Sequence, residues 1–218
     1  MVDREVELKF ILLGTVNSGK SSLVERIKYG PDARTLQYLS TIGIDFCVFN
    51  KYITHNEFET KYTTHLWDAG GNKNFINIVR SFFNRVTGTL VLYDISSLDS
   101  FHGAKEYIEE FKKFNKYYSY IFLIGNKLDL ERNVSYEDGK DYADSIDALF
   151  IECSVKENRN IEKIFDILFK KINIDLQNNT LIPNSDNQVK IYHPLKIRES
   201  STTELLQKSK KNICCNIQ

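Results

Sequence analysis

Gly14-Thr-Val-Asn-Ser-Gly19-Lys20-Ser21 follows the apolar run Phe10-Ile-Leu-Leu13 and opens a segment of helical period, Lys20–Lys28. The spacing is G-x-x-x-x-G-K-[ST], and each part has a physical reason. The glycines let the backbone turn tightly, so that successive N–H groups point inward at phosphate oxygens. The helix that follows adds the positive end of its dipole. Lys20 brings a point charge to the terminal phosphates, and the Ser21 hydroxyl is a ligand for Mg²⁺. Gly14, Asn17, Ser18, Gly19 and Ser22 complete the expected wrap around the phosphates. A chance match in a chain of this length has about one chance in a hundred, before the strand and helix around it are required. The cradle alone leaves ATP and GTP, or a kinase and a switch, equally open.

Outward from the cradle, apolar runs of strand length alternate with helical segments. Val6–Leu13, Ile44–Tyr52, Phe58–Trp67, Thr89–Asp94, Tyr120–Gly125 and Phe150–Cys153 read as strands. Lys20–Lys28, Asn74–Phe83, Ser100–Asn115, Tyr136–Ile146 and Ile161–Ile174 read as helices, the last with Ile161, Ile164, Phe165, Leu168 and Ile172 on one face. Runs this apolar suit strands covered on both sides, and the two joined by Thr54-His-Asn-Glu57 suit a hairpin. The expected fold is α/β: a doubly wound, mainly parallel six-stranded sheet in one domain over residues 1–175. Residues 176–218, rich in Asn, Ser, Thr and Gln and without a sustained period, read as a flexible tail.

Asn126-Lys127-Leu128-Asp129 comes directly after the buried run Ile121-Phe-Leu-Ile-Gly125. The Asp129 carboxylate there can accept two hydrogen bonds from the N1–H and exocyclic amine of guanine. Adenine lacks those donors and would leave the carboxylate desolvated and unpaired. Lys127 can lay its stem along the base, and Asn126 can tie the loop to the cradle. Ser154, Val155 and Lys156, after the last long strand, offer backbone N–H groups to the guanine O6.

Composition narrows the rest. Lys plus Arg balance Asp plus Glu at 29 each, so no global basic field argues for nucleic acid. The four cysteines, Cys47, Cys153, Cys214 and Cys215, form no disulfide framework and fit a reducing, cytoplasmic setting. The longest apolar runs are too short to span a bilayer, so any membrane contact is by attachment.

Over about Val6 to Ile174 the chain resembles the Ras superfamily of small GTPases, and most of all its Rab branch. Ser40-Thr-Ile-Gly-Ile-Asp-Phe46, Trp67-Asp68, Ser81-Phe-Phe-Asn84 and the terminal Cys214-Cys215 carry the Rab likeness. The resemblance implies GTP and GDP as ligands with Mg²⁺, and GTP hydrolysis at a site including Lys20, Thr41 and Asn72. Thr41 would bind Mg²⁺ and the γ-phosphate, Asp68 would hold Mg²⁺ through water, and the Gly71 N–H would meet the γ-phosphate. Ile42, Phe46, Trp67 and Phe82 would face effectors, with core packing as the alternative for the aromatics. The implied partners are an exchange factor, a GTPase-activating protein, effectors, a prenylation escort and a GDP-dissociation inhibitor. The implied location is the cytoplasmic face of an intracellular membrane, reached through prenyl groups. A nucleotide kinase is disfavoured, since no arginine-rich lid segment is visible.

Departures from the family pattern matter equally. W-D-T-A-G-Q-E appears as Trp67-Asp68-Ala69-Gly70-Gly71-Asn72-Lys73, so the glutamine that orients attacking water is an asparagine. Val16 stands where Rabs carry a small polar residue, Val155 replaces alanine, and the segment from Tyr29 to Ser40 is about two residues longer than usual. These changes put catalysis, rather than binding, in question. At the other end, Cys215-Asn-Ile-Gln218 fits a single farnesyl transfer, whereas the cysteine pair fits two geranylgeranyl groups.

Overall fold

A computed structural model describes residues 3–32, 41, 43–55, 58–84, 86–178 and 190–192. Seven strands form one sheet: β1 (Arg4–Leu13), β2 (Ile44–His55), β3 (Phe58–Ala69), β4 (Gly88–Asp94), β5 (Tyr120–Asn126), β6 (Leu149–Glu152) and β7 (Lys190–Tyr192). The order is β2-β3-β1-β4-β5-β6, with β2 and β3 an antiparallel hairpin and the strands from β3 to β6 parallel. Five helices cover the faces: α1 (Lys20–Tyr29), α2 (Ile76–Arg80), α3 (Leu98–Phe114), α4 (Tyr136–Ser145) and α5 (Ile161–Gln177).

Period-two alternation in β1 divides the core. Val6, Leu8, Phe10 and Leu12 join Leu23 of α1 and Ile164, Phe165, Leu168 and Phe169 of α5 on one face. Ile11 and Leu13 join Val79, Phe101, Ile108 and Phe111 on the other, beneath α2 and α3. Each such fully buried side chain contributes about 1.5–3 kcal/mol. Ser97 and Ser135 start α3 and α4 by accepting the N–H groups of Ser100 and Asp138. The five α5 residues expected to share a face are all buried.

Two expectations need correction. The helix read over Asn74–Phe83 is a 3-10 turn, Lys73–Phe75, followed by the five-residue α2. Its start has no side-chain cap, and β-branched Ile76, Ile78 and Val79 are weak helix formers. The sheet also has a strand more than the six expected. β4 pairs with β1 only from Phe10 onward, so the first half of that edge is open, and Lys190–Tyr192 pairs antiparallel with Glu5–Glu7 there. Ile191, opposite Val6, packs against the core. Three residues are too few for a periodic signal. Ile42, Cys214 and Cys215 lie outside the described residues.

Candidate nucleotide-binding site

The segments singled out in the sequence converge at the carboxyl ends of β1, β4, β5 and β6, where ligands of open α/β sheets bind. After β1 the chain bends through Gly14 (φ 137°), Asn17 (φ 64°) and Gly19 (φ 99°) before entering α1. Asparagine tolerates the left-handed conformation; at Gly14 and Gly19 an added Cβ would also collide with Leu92 and Asn126. No acidic residue occupies the first turn of α1, so its positive end stays uncompensated toward the loop. Lys20 is buried and donates to the carbonyls of Gly14 (2.9 Å) and Thr15 (2.8 Å). Burial brings its pKa down to about 8, with the Asp68 carboxylate opposing the shift. Ser18 is fully buried and Ser22 half-buried in the same wrap.

Ser21 Oγ donates to Asp68 Oδ2 at 2.5 Å and lies 2.8 Å from Thr41 Oγ1, which reaches the same carboxylate oxygen at 3.4 Å. Asp68 is 3% exposed, and its Oδ1 has no hydrogen-bond partner among the described residues. Burial raises its pKa, while the hydrogen bonds from Ser21 and Thr41 and the charge of Lys20 act the other way. Two hydroxyls and a carboxylate with a free oxygen suit a small, hard cation completed by phosphate and water. The described residues hold no cluster of three His, Cys, Asp or Glu side chains that would make an all-protein metal cage.

Backbone contact locks the two loops around this centre. The Gly70 N–H donates to the Gly43 carbonyl at 2.8 Å, and a Cβ at Gly70 would lie 2.5 Å from the Thr41 carbonyl. Gly71 is pressed on the cradle, since a Cβ there would meet Val16 N at 2.5 Å and Lys20 Nζ at 2.7 Å. Tyr107 of α3 donates to the Gly71 carbonyl (3.1 Å), and Ser100 of α3 meets Thr15 (2.8 Å). Asn72 is exposed, and its Oδ1 accepts the Asn74 N–H at 2.9 Å, a local turn contact rather than one toward the cradle. Val16 stands at the mouth with its side chain half exposed.

In the loop after β5, Asn126 Nδ2 donates to the Ser18 carbonyl (2.9 Å) and Oδ1 accepts the Val155 N–H (3.1 Å), tying this loop to the cradle. Lys127, at φ 70°, pairs with Asp94 at 2.6 Å. Asp129 Oδ1 accepts the Ser154 hydroxyl at 2.6 Å, and Lys156 Nζ is 3.5 Å from Oδ2. Burial raises the Asp129 pKa, but the Ser154 hydroxyl, a backbone N–H and Lys156 outweigh it and keep the acid ionised. The amides of Ser154 and Val155 already bond to the Arg159 carbonyl and Asn126. Arg26 of α1 holds the carbonyls of Val155 (3.1 Å) and Lys156 (3.2 Å), and Arg132 grips buried Glu152 through two bonds at 3.0 and 2.8 Å.

Phe46, Trp67 and Phe82 form one chain of rings, with centroids 5.3 and 6.3 Å apart, and His65 lies 5.7 Å from Phe46. Phe46 is 47% exposed and the other two are half-buried, so the trio is neither wholly core nor wholly surface. Sequence reasoning missed Asp94, although a carboxylate closing the apolar run of β4 is a usable signal. It also missed Tyr107, which sits among core-spaced residues of α3 and carries no local mark.

The family model described as Ras family matches residues 9–174. Among curated proteins, the chain is 30% identical over 188 residues to Ras-related protein RabC of Dictyostelium discoideum, covering 85% of this chain and 94% of the relative. It is 30% identical over 200 residues to GTP-binding protein ypt1 of Schizosaccharomyces pombe, covering 89% and 94%. To Ras-related protein Rab-3D of Mus musculus it is 33% identical over 179 residues, covering 81% and 78%.

Proposed function

Because the chain belongs to the Ras family and is a Rab-like small GTPase, we propose that it is a membrane-tethered switch cycling slowly between GTP and GDP. In its GTP-bound form it regulates vesicle traffic through effectors. The observation that carries this reading is the meeting of Lys20, Ser21, Thr41, Asp68 and Gly71 at the cradle, to which Asn126 ties the loop bearing Asp129. Lys20 and the cradle amides hold the phosphates. Asp129, kept ionised and oriented by Ser154, selects guanine. Ser21 and Thr41 would hold Mg²⁺, with Asp68 behind them, and the ion would supply positive charge to offset that developing on the phosphates. The Gly70 N–H bond to the Gly43 carbonyl links the segments that carry Thr41 and Gly71, so the two would respond to the γ-phosphate together. An exchange factor, a GTPase-activating protein, a prenylation escort and a GDP-dissociation inhibitor complete the cycle at the cytoplasmic face of an intracellular membrane.

A second reading, a GTP-binding interaction module with negligible turnover, is favoured by Asn72, whose side chain serves the turn at Asn74. Both readings require guanine selectivity. Competition binding with GDP, ADP and XDP tests it: Asp129→Asn should shift preference from guanosine to xanthosine nucleotides, because an acceptor becomes a donor. Tight ADP binding by the unaltered protein refutes both.

A further inference from the structure

Helix α3 touches the cradle and the Gly71 loop with one stripe of residues. Ser100, Gly103 and Tyr107 stand at i, i+3 and i+7, and so share a face of the helix. Ser100 Oγ accepts the Asp94 N–H at 3.0 Å and shares a hydrogen bond with Thr15 Oγ1 at 2.8 Å. Gly103 lies so close to the Thr15 methyl that a Cβ there would collide with it. The first turns of α3 are therefore anchored on the phosphate loop. One turn further on, the Tyr107 hydroxyl donates to the Gly71 carbonyl at 3.1 Å. Tyr107 is 5% exposed, and burial, reinforced by the Glu106 carboxylate, raises its pKa, so the phenol remains a donor at neutral pH.

We infer that Tyr107 is a positioning residue through which α3 favours the GTP-bound arrangement. Its hydroxyl holds the peptide joining Gly71 to Asn72 against the phosphate loop while the γ-phosphate is in place. The inference rests on the GTPase reading above and goes beyond it in assigning a role to a residue that touches no nucleotide. The physical argument is one of unequal partners. In the arrangement described here Thr41 lies against Ser21 and Asp68, Gly71 lies against Lys20, and the buried phenol is satisfied. If the Gly71 loop retreats once the γ-phosphate is gone, the same phenol loses its acceptor in a largely apolar setting, and an unsatisfied buried donor opposes that retreat.

Tyr107→Phe removes the hydroxyl and keeps the ring, so the α3 packing survives. Affinities for mantGDP and for a mant-labelled non-hydrolysable GTP analogue, with thermal midpoints beside them, make the test. The expected result is unchanged GDP affinity and midpoint, with preference for the GTP analogue reduced about fivefold, the weight of one net hydrogen bond. An unchanged preference, or an equal loss for both nucleotides, overturns the inference. A second measurement uses the unaltered protein: with ¹³Cζ-labelled tyrosine, the Tyr107 resonance should differ between the GDP and GTP-analogue complexes, and identical resonances overturn the inference as well. Failure of the parent reading is distinct, since the unaltered protein would then bind no guanine nucleotide.

Discussion

Ser21 Oγ and Thr41 Oγ1, twenty positions apart in the chain, lie 2.8 Å from each other and share Asp68 Oδ2 as their acceptor. One hydroxyl comes from the first turn of α1 and the other from the segment entering β2. The contact therefore joins the start of α1 to the segment entering β2. In the proposed switch, Ser21 and Thr41 would hold a cation beside the γ-phosphate, and Thr41 would lose that attachment with GDP.

Thr41→Ala tests the joint. Removing the hydroxyl costs a contact to a charged group, worth roughly 1.5–3 kcal/mol, so affinity for a GTP analogue should fall roughly tenfold to a hundredfold. GDP affinity should stay within about twofold, as GDP offers no γ-phosphate for Thr41 to follow. Titration with mant-labelled nucleotides at fixed Mg²⁺ measures both, and an equal loss for the two nucleotides sinks the idea.

Asn72 carries the slow-hydrolysis proposal. Its amide is one C–C bond, about 1.5 Å, shorter than the glutamine of the family pattern, and its Oδ1 is engaged by the Asn74 N–H. Misplacing a water-orienting group by this much can cost about a hundredfold in a reaction governed by positioning. Asn72→Gln should therefore hydrolyse GTP faster in single turnover at saturating Mg²⁺. If the variant is no faster, orientation at this position is not limiting.

At the far end of the sheet, the buried Tyr120 hydroxyl donates to Asp175 Oδ2 at 2.7 Å, and Lys171 pairs with Oδ1 of the same carboxylate at 3.1 Å. Burial, together with the Asp175 carboxylate, raises the Tyr120 pKa and keeps the phenol a donor. Tyr120→Phe should destabilise the domain by roughly 1.5–3 kcal/mol, the range for a hydrogen bond to a charged group. Guanine-nucleotide affinity should not change, because the pair lies away from the carboxyl ends of the strands. Urea unfolding gives the first number and mantGDP titration the second; a variant as stable as the parent contradicts the assignment.

Anchoring is proposed from Cys214 and Cys215, with Lys208, Lys210 and Lys211 adding attraction to anionic lipid. One prenyl chain holds a protein only marginally, while two hold it stably, each buried CH₂ contributing about 0.8 kcal/mol. Intact mass of the protein from eukaryotic cells should show two C20 additions. A single C15 addition favours the farnesyl alternative, and no addition removes the anchoring argument.

Asp68 came from the likeness to Rabs, whereas the spacing of Gly14–Ser21, the run Asn126–Asp129 and the alternation of strand and helix were determined by the sequence by itself. These are legible because their chemistry is local. A backbone nest needs glycines and a lysine a few residues apart, and a buried parallel strand needs an unbroken apolar run. Only the tertiary structure decided how the pieces act on one another. Tyr107 meets Gly71 across 36 positions, Tyr120 meets Asp175 across 55, and Lys190–Tyr192 closes on the open half-edge of β1 near the start of the chain. The same holds for Asn72, whose identity was readable but whose engagement with the Asn74 N–H was not. Contacts of this kind depend on which backbone groups the packed sheet and helices leave within about 3 Å of a donor or acceptor, a property of the assembled geometry that no local pattern of residues encodes.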